Sequence, residues 1–136
     1  ATLCDMAAIL EFELHPERLA IARLAPDAPF PDWARGAFVT LSRTRAELSV
    51  ICDQRHVPPG VTCERDRVAF GIVGVVPMTT VGLLASLCGA LAAQQIPVFV
   101  VSTYDTDWLL VQHGHLAAAR AALEALGHRF RGATPS

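Results

Sequence analysis

Apolar and polar stretches alternate most regularly in the second half of the chain. Residues 68–76 (VAFGIVGVV) are apolar and β-branched, which predicts a buried strand. Residues 98–103 (VFVVST) and 108–112 (WLLVQ) flank a short polar connection and predict an antiparallel hairpin. A last short strand is predicted over residues 129–131.

Two helices are predicted between these strands. The first covers about residues 80–95, with Thr79 or Thr80 as N-cap and a sheet-facing stripe of Leu84, Leu87, Cys88 and Leu91. The second covers residues 115–126 and ends at Gly127, with an apolar face of Leu116, Ala119, Leu123 and Leu126. The order βαββαβ predicts an α/β (α+β) sandwich with an antiparallel sheet and both helices on one face.

The first half contains predicted strands but little predicted helix. Residues 9–14 and 19–24 predict strands, and residues 38–43 and 48–52 predict a hairpin closed at 44–47. Three prolines make residues 25–33 a connector, and residues 32–35 predict one helical turn. The hairpin FVTLSRT…ELSVI weakly resembles VFVVSTYDTDWLLV in the second half.

Composition narrows the class of protein. The 136 residues are 52% hydrophobic and 18% charged with a formal net charge of −2, which excludes disorder and argues against nucleic-acid binding through a basic face. The most apolar run, residues 81–93, is too short to span a bilayer, so no membrane partner is expected. Four cysteines without a CxxC spacing and no expected signal peptide favour a cytoplasmic protein with reduced thiols.

Two segments of the second half carry candidate binding chemistry. The predicted helix start after residues 77–80 has unpaired N–H groups and a partial positive charge, which suit a small anion. If the predicted strand 98–103 pairs beside strand 68–76, Asp105 or Asp107 brings a negative charge near this helix end. The combination fits an amino-acid zwitterion; the alternative is an ordinary capped helix and a solvated turn.

Metal and nucleophile chemistry have weaker signals. His113 and His115 would share a face of a continuing strand, but no third metal ligand is signalled nearby. Cys52 or Cys63 could pair with His56, but no group that would orient the pair is evident. We therefore expect no metal, no cofactor and no catalytic residue.

The segment STYDTDWLLV at residues 102–111, preceded by LLASLCGALAAQQIPVFVV, resembles ACT domains of the CASTOR arginine-sensor group. It is also similar to their small bacterial relatives and, more distantly, to aspartokinase regulatory regions. FVTLSRTRAELSVIC at residues 38–52 looks like the matching hairpin of a first domain. The resemblance implies tandem ferredoxin-type ACT units, with a helix-poor half over residues 9–66 and an ACT domain over 67–132.

The resemblance also implies site residues. In CASTOR sensors, arginine lies between ACT domains, where it touches a strand-to-helix loop and the Thr, aromatic and Asp of an STYxTD-type motif. The motif positions here are Thr103, Tyr104 and Asp107. The loop spans about residues 76–82 and contributes Val76, Met78, Thr79, Thr80, Val81 and Gly82.

This sequence departs from the CASTOR pattern in two respects. It has at most two units instead of four, so a complete site between equivalent domains needs a second copy of the chain. The loop GVVPMTTVG also lacks a charged side chain, so an arginine guanidinium would need a carboxylate from elsewhere, whereas Val76, Met78 and Tyr104 could equally frame an apolar side chain.

We therefore predict a homodimeric, non-enzymatic ACT protein that binds a free amino acid and responds by changing conformation or association. Backbone N–H groups of residues 79–82 would hold the α-carboxylate, Asp107 would accept from the α-ammonium, and Tyr104 would pack on the ligand. The alternative is an interaction module with a vestigial pocket that regulates a partner enzyme.

Overall fold

A computed structural model describes residues 8–136. Its strands are β1 (Glu11–Leu14), β2 (Leu19–Leu24), β3 (Thr40–Arg43), β4 (Leu48–Asp53), β5 (Cys63–Ile72), β6 (Phe99–Ser102), β7 (Asp107–Gln112) and β8 (Arg129–Arg131). Its α-helices are α1 (Leu83–Ala93) and α2 (Leu116–Glu124), and short 3-10 helices cover Gln54–His56 and His113–His115. Among these residues, neither α-helix combines the length and the apolar character needed to cross a membrane.

The chain forms two compact units. The smaller unit comprises residues 17–67, and the larger unit comprises the described residues up to Pro16 together with Val68–Pro135. Strand β5 contributes residues to both units, because the boundary at 67/68 lies within it.

The larger unit contains a mixed sheet with the strand order β6-β7-β5-β1-β8. Strand β1 pairs antiparallel with β5 and parallel with β8, so the predicted purely antiparallel sheet is wrong. Strand β1 belongs to the larger unit. Local periodicity identifies a strand but does not specify which distant strand it pairs with, here Phe12 opposite both Ile72 and Phe130.

One face of this sheet packs against both helices. Alternate residues of β1, β5 and β7 are buried in one cluster with α1 and α2, including Phe12, Phe70 and Leu109. Successive strand residues point to opposite faces of a sheet, so the alternate buried residues of each strand lie on one face. Both helices therefore pack on the same side of the sheet. The helices contribute Leu83, Leu87, Leu91, Leu116, Ala119 and Leu123.

Helix α1 begins later than predicted and buries a different stripe. Its N-cap is Gly82, whose φ of +84° is left-handed, so neither Thr79 nor Thr80 caps it. Leu83, Leu87 and Leu91 face the core, whereas the predicted Leu84 and Cys88 are only partly buried. The helix is apolar on most sides, and its periodicity therefore does not select one face.

Helix α2 is shorter than predicted at both ends. Residues 113–115 form the 3-10 helix, and Leu126, predicted on the apolar face, lies beyond the helix and is exposed. Gly127 has a φ of +95°, and its N–H donates to the Glu124 carbonyl (2.9 Å), as expected of a residue that ends a helix.

Gly71 and Trp108 are in close contact on the sheet face opposite the helices. A Cβ atom at Gly71 would lie 2.6 Å from Trp108 Cδ2. The absence of a side chain at residue 71 therefore makes room for the indole ring directly beside Asp107, the first residue of β7.

The smaller unit is an antiparallel sheet with the order β3-β4-β2-β5. The β3–β4 hairpin is closed by the Thr44 N–H, which donates to the Glu47 carbonyl (2.9 Å). The apolar face of this sheet is covered by loop residues, among them Trp33 and Val57, instead of by α-helices. The helical turn predicted at residues 32–35 is an isolated turn in which the Ala34 N–H donates to the Pro31 carbonyl (3.3 Å).

Candidate functional site

A cavity of about 410 Å³ lies in the larger unit, between the start of α1 and the β6–β7 hairpin. This volume is within the ~300–1,000 Å³ range of small-molecule sites. Of the predicted site residues, those that line it are Val76, Met78, Thr80, Gly82, Thr103, Tyr104 and Asp107. Thr79 and Val81 do not line it.

Hydrogen bonds join the two segments that form the cavity. The Val76 N–H donates to the Asp105 carbonyl (2.6 Å), and Thr106 Oγ1 donates to the Ile72 carbonyl (2.8 Å). The predicted pairing of strand 98–103 beside strand 68–76 is wrong, because β7 pairs with both β5 and β6. The connection of the β6–β7 hairpin nevertheless reaches the end of β5 and the β5–α1 loop through these two bonds.

Asp107 is the charged residue of the cavity lining. Ser102, its cross-strand partner, donates from Oγ to Asp107 Oδ1 at 2.5 Å, which orients the carboxylate. Burial and, to a lesser degree, the negative charge of Asp107 raise the pKa of the nearby Cys88 thiol. Cys88 therefore stays protonated beside the site.

The first turn of α1 provides the opposite wall. Gly82, Leu83, Leu84 and Ala85 line the cavity, and the Ser86 N–H is bonded to the Gly82 carbonyl (3.0 Å) one turn back. The N–H groups that precede Ser86 belong to the helix end that carries a partial positive charge. The cavity thus has a positive helix end on one side and a carboxylate on the other.

Apolar side chains around this cavity are unusually exposed. Tyr104 is 83% exposed, Val81 78%, Met78 75% and Val75 61%. All four belong to the β5–α1 loop or to the β6–β7 connection. Their exposure leaves apolar surface available to a ligand or to another protein.

Several lining residues were missed by the sequence reasoning. Ser102 and Thr106 lie within the quoted STYDTD segment, so the motif itself was the available signal. Leu84 was assigned to the core stripe, and its position in the cavity follows from the actual phase of α1.

The candidate nucleophile groups interact with backbone carbonyl oxygens. His56 Nδ1 is 2.9 Å from the Arg35 carbonyl oxygen, and burial raises the pKa of the Cys52 thiol. His113 Nε2 is 3.3 Å from the Pro135 carbonyl oxygen. Within residues 8–136, no group of three or more His, Cys, Asp or Glu side chains is arranged to hold a metal ion.

Comparison with known proteins defines the class. A family model described as an ACT domain matches residues 62–125, and the model of the N-terminal domain of a group of related proteins matches residues 17–60. The protein therefore contains an ACT domain, as the motif predicted. No curated protein matches the chain.

A solved structure identifies the family more closely. A protein from Agobacterium tumefaciens is 30% identical, with 91% of this chain and 93% of that chain covered and a TM-score of 0.86. The chain belongs to the same family as this Agobacterium tumefaciens protein.

More distant structures share the fold. A Vibrio cholerae protein of unknown function, described as a possible transport protein, is 18% identical, with 91% and 94% coverage and a TM-score of 0.74. The regulatory subunit of aspartate kinase from Thermus thermophilus is 14% identical, with 88% and 99% coverage and a TM-score of 0.63. The predicted likeness to aspartokinase regulatory regions is thereby confirmed for the fold.

Proposed function

We propose that this protein is a regulatory ACT-domain module that binds a free amino acid in the cavity of its larger unit. The observation that carries the proposal is that the first turn of α1 and Asp107 border the same cavity. A positive helix end complements a carboxylate, and an aspartate complements an ammonium group. An amino-acid zwitterion carries both groups on one carbon atom.

Each part of the site has a defined role in this proposal. Because α1 begins at Leu83, the ligand α-carboxylate is held by N–H groups at the start of that helix. Asp107 accepts from the α-ammonium, and Tyr104 closes over the ligand. The protein catalyses no reaction and transmits binding as a change of conformation or association.

We further propose a CASTOR-like, tandem-ACT homodimer located in the cytoplasm. The exposed Val75, Met78, Val81 and Tyr104 support association, since a second copy would bury them beside the cavity. The division into ACT-like units at residues 9–66 and 67–132 remains a prediction.

A second candidate function is an interaction module with a vestigial pocket that regulates a partner enzyme. The same exposed apolar side chains favour it, because a partner protein would cover them as well as a second copy would.

A thermal-shift screen of the full chain against the twenty amino acids at millimolar concentration tests the proposal. A ligand at ~100 times its Kd adds about 2.7 kcal/mol of stability, which raises the Tm by several degrees. An increase with one or a few amino acids supports a sensor. No increase with any amino acid contradicts it and favours the interaction module.

Calorimetry on two variants then locates the site. Asp107→Asn is expected to weaken binding at least about tenfold, because the ligand ammonium loses its charged partner. Asp105→Asn is the matched control, since Asp105 does not line the cavity and accepts from the Val76 N–H through its backbone carbonyl. Equal affinities for both variants and the unaltered protein would remove Asp107 from the site.

A further inference from the structure

The charges of the cavity restrict the side chain that a bound amino acid can carry. Asp107 is the single charged lining residue, and no Arg, Lys or His lines the cavity, whose residues all fall within the described part of the chain. A zwitterion uses Asp107 for its ammonium group and the start of α1 for its carboxylate. A third charge on a ligand side chain that is buried in the cavity would have no opposite charge beside it, and an unpaired charge removed from water is strongly disfavoured.

Three of the hydroxyl groups of the lining are already engaged as donors within the protein. Ser102 donates to Asp107, Thr103 donates to the Thr106 carbonyl (3.2 Å), and Thr106 donates to the Ile72 carbonyl. A ligand hydroxyl or amide would have to compete with these bonds. Polar neutral side chains therefore gain little from these three hydroxyl groups.

Much of the remaining lining is aliphatic. Val76 is 8% and Leu83 4% exposed, and the partly buried Leu84 adjoins them in the first turn of α1. The exposed Met78 lies with Val76 in the β5–α1 loop and is free to cover a ligand. Burying an aliphatic side chain against such a wall is favourable because it removes apolar surface from water.

We infer that the ligand is an amino acid with a neutral aliphatic side chain, of the kind carried by valine, leucine or isoleucine. The side chain packs on Val76 and Leu84, while the zwitterionic group lies between the start of α1 and Asp107. This inference rests on the proposed function and narrows it to one class of ligand.

Titration calorimetry of the full chain with leucine, isoleucine and valine, compared with arginine, lysine and glutamate, tests the inference. The aliphatic amino acids are expected to bind at least about tenfold more tightly than the charged ones, a difference of about 1.4 kcal/mol or more. Tighter binding of a charged amino acid would overturn the inference but leave the amino-acid sensor intact. Binding of none of the six, and of none of the twenty in the thermal-shift screen, would overturn both.

A charge placed in the aliphatic wall provides a second test. Leu84→Glu is expected to weaken binding of the preferred aliphatic ligand at least about tenfold, since it sets an unpaired carboxylate against the ligand side chain. An acid in the first helical turn is compatible with folding of α1. Ser86→Glu adds the same charge in α1 outside the cavity lining. The protein with this substitution should bind the aliphatic ligand with the affinity of the unaltered protein. Unchanged affinity in Leu84→Glu would refute the assignment of this wall to the ligand side chain.

Discussion

Replacing Gly71 with alanine is expected to destabilise the larger unit, because the added methyl group would collide with Trp108. The new Cβ would lie 2.6 Å from Cδ2 and 2.7 Å from Cε2 and Cε3 of the indole. Carbon atoms pack best at about 3.5–4.0 Å, so the ring or the strand must move by roughly 1 Å. Overpacking of this kind costs about 1–3 kcal/mol, which corresponds to a decrease in Tm of roughly 4–12 °C for a chain of this size.

Circular dichroism melts of Gly71→Ala and Gly89→Ala measure the effect against a matched control. Gly89 lies in α1, and a Cβ added there would meet no neighbouring atom within 4 Å, so alanine at this position should stabilise the protein by about 0.5–1 kcal/mol. A double-mutant cycle with Trp108→Leu isolates the contact, because removing the ring should reduce the cost of Gly71→Ala. A neutral Gly71→Ala, or an equal cost in both backgrounds, would refute the reasoning.

Two further predictions concern the core and its pH dependence. Leu87→Ala should lower the free energy of unfolding, measured by urea denaturation, by about 2–5 kcal/mol because Leu87 is fully buried. Leu84→Ala should lower it much less, because Leu84 is only partly buried. Equal losses would contradict the observed orientation of α1. Burial lowers the pKa of His128, whose Nδ1 accepts from the Leu10 N–H (3.0 Å), so the unfolded chain binds the proton more readily. The stability contributed by neutral His128 is present above the ordinary histidine pKa of about 6.5 and is lost as the pH falls below it. His128→Asn keeps an acceptor without titrating and should flatten the pH dependence of the denaturation midpoint; an unchanged slope would exclude His128 as its source.

The elements of the second half were largely predictable from changes in local pattern, but their ends were not, since the strand predicted over residues 68–76 is β5 (Cys63–Ile72) and both helices are shorter than predicted. The β6–β7 hairpin, both helices and the strand at residues 129–131 are present close to their predicted positions. The insertion of β1 between β5 and β8 was not predictable, because pairing partners depend on contacts remote in sequence. The start of α1 was misplaced for a local reason: Gly82 in a left-handed conformation, not a threonine side chain, precedes the helix.

The candidate site was predictable where a motif supplied it and not where helix phase decided it. Thr103, Tyr104 and Asp107 line the cavity as positions of one short segment. The prediction placed Thr79 and Val81 in the site because it assigned the whole loop to it. The loop instead turns at residues 77–80, where the Thr80 N–H donates to the Pro77 carbonyl, and neither Thr79 nor Val81 lines the cavity. To predict that Leu84 lines the cavity, one needs the orientation of α1 about its own axis. The periodicity of a helix that is apolar on most sides does not specify this orientation.

The discontinuous larger unit has a consequence for folding during synthesis. The Leu10–His128 hydrogen bond joins residues 118 positions apart, which at ~5–20 residues per second separates their emergence by about 6–24 s. The smaller unit is contiguous and can close once residue 67 has emerged. Until β8 is made, the apolar side chains of β1 remain without one of their two neighbouring strands. A ribosome that stalls between these points would present a folded smaller unit preceded by an apolar strand whose pairing is incomplete, the kind of nascent chain that chaperones bind.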